Sequence, residues 1–278
     1  MNIGIVGLGL IGGSLARAFK KYSNNRIYAH DLNSEALDLS ISEGVTDGKL
    51  EEQIGNCEII ILALYPDASV EFAKNNLHRF AKGTIICDCG GTKRDVCKRI
   101  GELFQGMDVF FCGAHPMAGI EKFGYAASFA DLFLGASLIF TPSEELPRNI
   151  TDKLWAEFSK LGFKKRVETT PEKHDRIIAY TSQLAHVVSS AYIMSETSQE
   201  HSGFSAGSFK DLTRVAMLNE IMWTELFLEN NDYLSKELDS LIERLSEFSR
   251  LIRSKDETNL RKLLKKGRIM KTNSDEEN

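Results

Sequence analysis

The chain has 278 residues, 42% of them hydrophobic, with five cysteines and a formal net charge of −5. That balance argues against a generally basic nucleic-acid binder, and no apolar run approaches the ~18 residues that a membrane span needs. The cysteines, Cys57, Cys87, Cys89, Cys97 and Cys112, are odd in number and form no C-x-x-C pair. They read as reduced core thiols of a cytoplasmic protein, not as a disulfide frame or a metal site. The length suits one large or two moderate domains.

Asn2 to Val6 reads as a short buried strand. Gly7, Gly9 and Gly12 follow as G-x-G-x-x-G and open an apolar-periodic helix. Gly7 permits a sharp turn, Gly9 lets a pyrophosphate approach the backbone, and Gly12 lets helix and strand pack closely. Free N–H groups and the positive dipole at the helix start favour phosphate. A second strand, Arg26 to His30, ends in Asp31, roughly 20 residues past the glycines, where a dinucleotide fold places the carboxylate for a ribose hydroxyl. An acid there favours NAD over NADP, because a 2′-phosphate would meet a like charge. Asn33 caps a helix from Ser34 to Ser42.

Glu58 to Leu64 is a near-continuous apolar run, as expected of a parallel strand covered on both faces. Tyr65-Pro66-Asp67 stops it, and a helix follows to about Phe80. Gly83 to Cys89 is the next strand, Gly90-Gly91-Thr92 a turn, and Lys93 to Phe104 a helix. Asp108 to Cys112 is a strand ending at Gly113-Ala114-His115-Pro116. Ser137 to Phe140, a helix over Glu144 to Leu161, and a last strand over Phe163 to Val167 complete the alternation. The pattern predicts an α/β doubly wound parallel sheet.

After Pro171 the pattern becomes all-helical. Glu172 to Gln199 reads as one long helix, broken by the serine- and glycine-rich stretch 202–208. Phe209 to Leu228, Asn231 to Ser254 and a short helix near Leu260 to Lys266 follow. The expected division is 1–169 for the nucleotide domain, 170–270 for a helical domain and 271–278 for a disordered tail. The apolar content of the helical half suits burial against a second copy, a homodimer.

Ligands of an open α/β sheet gather at the carboxyl ends of its strands. There lie the glycine loop with Leu8, Leu10 and Ile11, the stretch Leu64-Tyr65-Pro66, the turn Gly90-Gly91-Thr92, and the segment around His115. An imidazole beside a nicotinamide is well placed for proton transfer. A loop histidine bonded to the backbone is the other reading of His115. From spacing alone Arg214 is a helix-surface arginine paired with Asp211, His186 a hydrogen-bonded core histidine, Glu121 a solvated loop charge, and His174-Asp175 a cap or a structural pair.

Four segments resemble the prephenate dehydrogenase family: G-L-G-L-I-G-G-S at 7–14, G-x-H-P-x-x-G-x-E-K-x-G at 113–124, S-x-L-x-H at 182–186, and D-L-T-R at 211–214 with I-M-W behind it. They follow the family's order over nearly the whole chain. The resemblance implies a Rossmann domain followed by a helical dimerisation domain. It also implies NAD-dependent oxidative decarboxylation of prephenate to 4-hydroxyphenylpyruvate in tyrosine biosynthesis, with arogenate as the alternative substrate. It assigns His115 to the substrate hydroxyl, Arg214 to a substrate carboxylate, and His186 with Ser182 to substrate binding. Glu121 falls at the pocket mouth, and the cofactor set is Gly7, Leu8, Gly9, Leu10, Ile11, Gly12, Asp31, Leu64, Tyr65, Pro66 and Gly90. Gly91 stands where the family shows a serine near the histidine, so Thr92 is expected to supply that hydroxyl, or a water. Two other readings are a β-hydroxyacid dehydrogenase, disfavoured because Lys173 lies at the helix start and the mid-helix residue is His186, and a non-catalytic NAD sensor.

Overall fold

A computed structural model describes residues 1–276. Its first part alternates β1 (Asn2–Val6), α1 (Leu10–Tyr22), β2 (Arg26–His30), α2 (Ser34–Ser42), β3 (Gly48–Lys49), β4 (Ile59–Leu62), α3 (Pro66–Asn76), β5 (Ile85–Asp88) and α4 (Arg94–Leu103). Then come β6 (Phe110–Pro116), β7 (Ser137–Thr141), α5 (Arg148–Phe158) and β8 (Lys165–Glu168). The eight strands form one sheet in the order β3-β2-β1-β4-β5-β6-β7-β8.

Alternation of side chains divides the core between the two faces of the sheet. Ile3, Ile5, Ile59, Ile61, Ile85 and Cys87 pack with Leu15 and Phe19 of α1 and Leu154 and Phe158 of α5. Val6, Ile60, Leu62 and Ile86 pack with Val70 of α3 and Val96 and Ile100 of α4. Local chemistry sets the helix starts. The Asn33 side chain accepts from the N–H groups of Glu35 and Ala36, and Pro66 occupies the first turn of α3.

The sheet departs from a uniformly parallel one at a single junction: β6 and β7 are antiparallel, with His115 opposite Ile139. This pairing carries β6 to Pro116, beyond the expected end at Cys112. His115 therefore sits in a strand and not in the loop after it. The helix expected from Glu144 starts at Arg148 because Pro147 forces its predecessor out of helical geometry. The two-residue β3 is too short for any periodic signal.

The helical stretch is also more broken than expected. α6 (Pro171–Ile178) runs into a π-type segment, Ala179–Gln183, and then α7 (Leu184–Ile193), so the long helix stops short of Gln199. The helix expected over Phe209 to Leu228 divides into α8 (Gly207–Thr213) and α9 (Glu220–Glu229), because Asn219 starts a new helix by accepting from the Met222 N–H. α10 (Asn231–Arg253) and α11 (Glu257–Glu276) complete the described chain. Lys271 to Glu276 belong to α11 and not to a structureless tail, with an i,i+4 pair between Lys271 and Asp275 supporting that turn. Residues 277 and 278 of the expected tail lie outside the described residues.

By packing, the chain divides into Met1–Asn231 and Asp232–Asn278, so the change of composition near Thr169 is not a break in packing. Buried bonds from α4 to α6 explain this, since both N–H groups at the start of α4 are given to Asp175. Among the described residues no helix is long and apolar enough to cross a membrane, and no cluster of metal-ligating side chains occurs. All five cysteines are free. Burial raises the Cys57 and Cys97 thiols to about 12, as suits inert core positions.

Candidate active site

The turn between β1 and α1, where the cofactor is expected, is shaped by glycines. Gly7 has φ +90°, and a Cβ there would lie 2.5 Å from the Ala63 carbonyl oxygen. A Cβ on Gly12 would fall 1.8 Å from the Gly7 oxygen, so only glycine lets α1 approach the turn. A Cβ on Gly9 would meet nothing within 4 Å. Gly9 thus borders open space at the start of α1, with Leu10 and Ile11 half-buried beside it and Leu8 buried. The Asp31 carboxylate accepts from the Leu8 N–H and, at 2.7 Å, from the Asn33 N–H, which fixes it at the end of β2. Half-buried Leu64, exposed Tyr65 and buried Pro66 follow β4 in the neighbouring loop. Gly90 follows β5, and its N–H is given to Asp88.

The end of β6 begins a row of three side chains. His115 Nδ1 lies 2.9 Å from His174 Nε2, and His174 Nδ1 lies 2.7 Å from Asp175 Oδ1. Asp175 also accepts from the main-chain N–H groups of Lys93 and Arg94, at 2.8 and 2.9 Å. Burial pushes its carboxyl up, but these bonds and the one from His174 outweigh burial and hold it below the ordinary carboxylate value. An ionised carboxylate can only accept, so it orients every proton in the row. His174 must donate from Nδ1, leaving a lone pair on Nε2. His115 must then donate from Nδ1, leaving Nε2 as a free acceptor. Burial first, then His174 and the Lys93 ammonium, hold His115 well below the usual imidazole range, which keeps that lone pair available.

Beneath the row lies a buried ion pair. Lys93 Nζ donates to Asp88 Oδ2 and to the Thr92 carbonyl oxygen, while Asp88 also accepts from the N–H of Ala114, next to His115. The pair ties the end of β5 to the strand that carries the imidazole. Thr92 does not stand where the sequence suggested. Its hydroxyl donates to Glu229 on α9, and the Nδ1 partner of His115 is His174. The backbone turn through Gly90 and Gly91 buries Thr92 beneath α9, which directs its side chain there.

The residues of the helical stretch that were expected to meet the substrate gather separately. Arg214 pairs with Glu121, 93 positions earlier in the chain, instead of with Asp211. His186 is half-buried, with Nδ1 2.8 Å from the Ser182 carbonyl oxygen and its ring 3.9 Å from that of Trp223. Ser182 contributes its carbonyl to His186. Burial and then Arg214 lower the His186 pKa, against opposing effects of Ser182 and Glu121. The sequence assigned no role to Glu229 or Asn230, named Trp223 only within the I-M-W segment, and left His174-Asp175 as a cap or a structural pair. Their only local signals were an adjacent His-Asp at a helix start and an Asn after an acidic helix end.

A glycine-rich turn with a fixed acid after β1 and an oriented imidazole at the end of β6, both at the carboxyl edge of one doubly wound sheet, define an oxidoreductase of the Rossmann type. Residues 15–164 match the model of the prephenate dehydrogenase nucleotide-binding domain and residues 170–266 that of the prephenate dehydrogenase dimerization domain. The chain belongs to the prephenate dehydrogenase family. It is 30% identical over 273 residues to a prephenate dehydrogenase of Lactococcus lactis, covering 95% of this chain and 75% of that one. A cyclohexadienyl dehydrogenase of Zymomonas mobilis is 30% identical over 266 residues, covering 92% of this chain and 89% of that one. The crystal structure of an Aquifex aeolicus prephenate dehydrogenase, solved with hydroxyphenyl propionate and NAD+, superposes with TM-score 0.87 at 26% identity over 98% of each chain.

Proposed function

We propose that this protein catalyses the NAD-dependent oxidative decarboxylation of prephenate to 4-hydroxyphenylpyruvate, with arogenate, which carries an amine in place of the side-chain ketone, as the second candidate. The observation that carries the reading is the free acceptor on His115 at the end of the His115–His174–Asp175 row. The glycine turn fits a dinucleotide, because Gly9 faces open space at the start of α1 where any other side chain would intrude. Bound NAD supplies the hydride acceptor.

His115 Nε2 takes the proton of the ring hydroxyl as that carbon is oxidised. The positive charge that forms on the imidazole is stabilised through His174 by the Asp175 carboxylate. Arg214 offers a planar, two-pronged donor to a substrate carboxylate. Glu121 pairs with it, so an incoming substrate carboxylate would exchange one anionic partner of the arginine for another. His186, bonded to the Ser182 carbonyl and packed at a tilt against Trp223, stands beside that arginine. Loss of carbon dioxide then aromatises the ring. Two copies joined through the helical region form the working unit, supported by the match to a dimerization domain. Five free cysteines are in keeping with a cytoplasmic site of action.

The test is NADH absorbance with purified protein, NAD+ and prephenate, then arogenate. Turnover with either supports the reading and their ratio sets the substrate. No NADH from either would end it. His115→Asn should lower kcat by roughly 10²–10⁴ while NAD+ still binds, and unchanged turnover would remove His115 from the chemistry.

A further inference from the structure

Among the partly buried acids the scheme above leaves unused, one touches the turn after β5. Glu229, the last residue of α9, accepts the Thr92 hydroxyl from the turn after β5. We propose that Glu229 is a positioning residue: through the Thr92 hydroxyl it clasps the Gly90–Thr92 turn beneath α9 and so sets the shape of the nicotinamide side of the cleft. The proposal rests on the reading of the carboxyl edge of β5 as cofactor wall.

Three observations converge on this clasp. First, Gly91 offers no side chain, and Leu226 of α9 fills the space above it: a Cβ at 91 would lie 3.3 Å from both Leu226 methyls. The turn is therefore tight against α9 but has no polar hold at 91, and the hydroxyl at 92 supplies one. Second, α9 makes the same kind of contact one loop away. Glu225, a turn earlier, accepts from the Asp67 N–H at 2.9 Å, in the first turn of α3 after Tyr65-Pro66. Two carboxylates on one helix thus hold the turns that follow β4 and β5. Third, the reach of Glu229 is set from its neighbour. Asn230 is fully buried and donates to the Asp175 carbonyl oxygen at 2.9 Å and to Gln183 at 2.7 Å. The end of α9 is thereby anchored to the helix that carries the histidine row.

The clasp is also sensitive to protons. Glu229 faces Glu225 of its own helix, Asp95 of α4 and Asp67 of α3, while Arg99 of α4 pairs with Asp95 and Asp67. Burial and these carboxylates raise Glu229 to about 7, against the Thr92 bond. The Thr92 hydroxyl favours the ionised carboxylate, so protonation of Glu229 weakens the bond between them. The clasp is therefore tighter above neutrality than below it.

The experiment compares wild type, Thr92→Val, Thr92→Ser and Glu229→Gln as full-length proteins, with thermal melts to verify folding. Thr92→Val should raise KM for NAD+ about tenfold, the usual worth of a hydrogen bond to a charged group, with kcat changed far less. Thr92→Ser should restore it. The wild-type KM for NAD+ should fall between about pH 6 and 8 as Glu229 ionises, and Glu229→Gln, which still accepts but cannot ionise, should flatten that fall. An unchanged KM in Thr92→Val, or a fall with pH that persists in Glu229→Gln, would overturn the proposal. Binding of NAD+ followed without substrate reads the clasp directly, so a wild type that binds NAD+ but turns over neither prephenate nor arogenate would defeat the proposed reaction and not this inference.

Discussion

Oδ1 of Asp175 accepts two bonds at once, from His174 Nδ1 at 2.7 Å and from the Lys93 main-chain N–H at 2.8 Å. The carboxylate that directs the imidazole row is thereby nailed to the start of α4, whose first residues also hold Asp88 and the end of β5. Asp175→Asn tests this arrangement without changing its shape. The amide can present N–H to His174 Nδ1, which reverses the donor order and places a proton on His115 Nε2. Expected is a fall in kcat of about 10²–10⁴ with NAD+ binding retained. A kcat within twofold of wild type would show that the row does not orient the proton acceptor.

The same row predicts an acid limb. Burial holds both His115 and His174 below the ordinary imidazole value. The limb of kcat/KM from His115 should therefore lie below pH ~6.5, with a plateau above it. Stability should follow the same sign. Between the depressed folded values and the unfolded value, the unfolded chain binds more protons, so stability is complete above about pH 6.5 and is lost as pH falls. Asp175, depressed as well, adds loss in the same direction at lower pH. Melting temperatures measured from about pH 8 down to 5 check this, and a flat profile would show that the imidazoles charge freely in the folded protein.

The sequence was informative wherever the chemistry was local. The glycine turn, the strand ending in Asp31 and the Asn33 cap each depend on neighbours within a few residues. Long-range partnerships were not readable. His115 and His174 are 59 positions apart, and their meeting depends on the antiparallel β6–β7 pairing that extends β6 past Cys112. A histidine-aspartate pair at a helix start looks the same whether it caps the helix or faces a third side chain. The turn holding Thr92 was legible but the direction of its hydroxyl was not, because the turn's geometry depends on Leu226 over Gly91. Arg214 shows the reverse case: the family motif pointed to an anion partner, whereas spacing alone pointed to Asp211, and the structure pairs it with Glu121.

That pair makes its own prediction. Arg214→Ala should raise KM for prephenate by about tenfold or more, the worth of a charged hydrogen bond, with little effect on KM for NAD+. Arg214→Lys should recover only part, since an ammonium cannot form the two-pronged contact. An unaltered KM for prephenate in Arg214→Ala would return Arg214 to the role of a surface charge neutralising Glu121.

The glycine turn allows folding and cofactor binding to be separated by two single-methyl changes. At Gly12 the added Cβ would stand 1.8 Å from the Gly7 carbonyl oxygen, which is backbone on both sides and has no rotamer to yield. Gly12→Ala should cost about 3 kcal/mol or more, visible as a melting temperature lowered by several degrees without any ligand. At Gly9 the added Cβ meets nothing within 4 Å. Gly9→Ala should therefore leave the melting temperature of the free protein within a degree or so, while weakening NAD+ binding by tenfold or more, because the methyl occupies the approach a pyrophosphate needs. The contrast is the test. If Gly9→Ala binds NAD+ as wild type does, the open space beside it is not where the cofactor lies. If it melts as early as Gly12→Ala, the glycine is required by the fold and carries no information about binding.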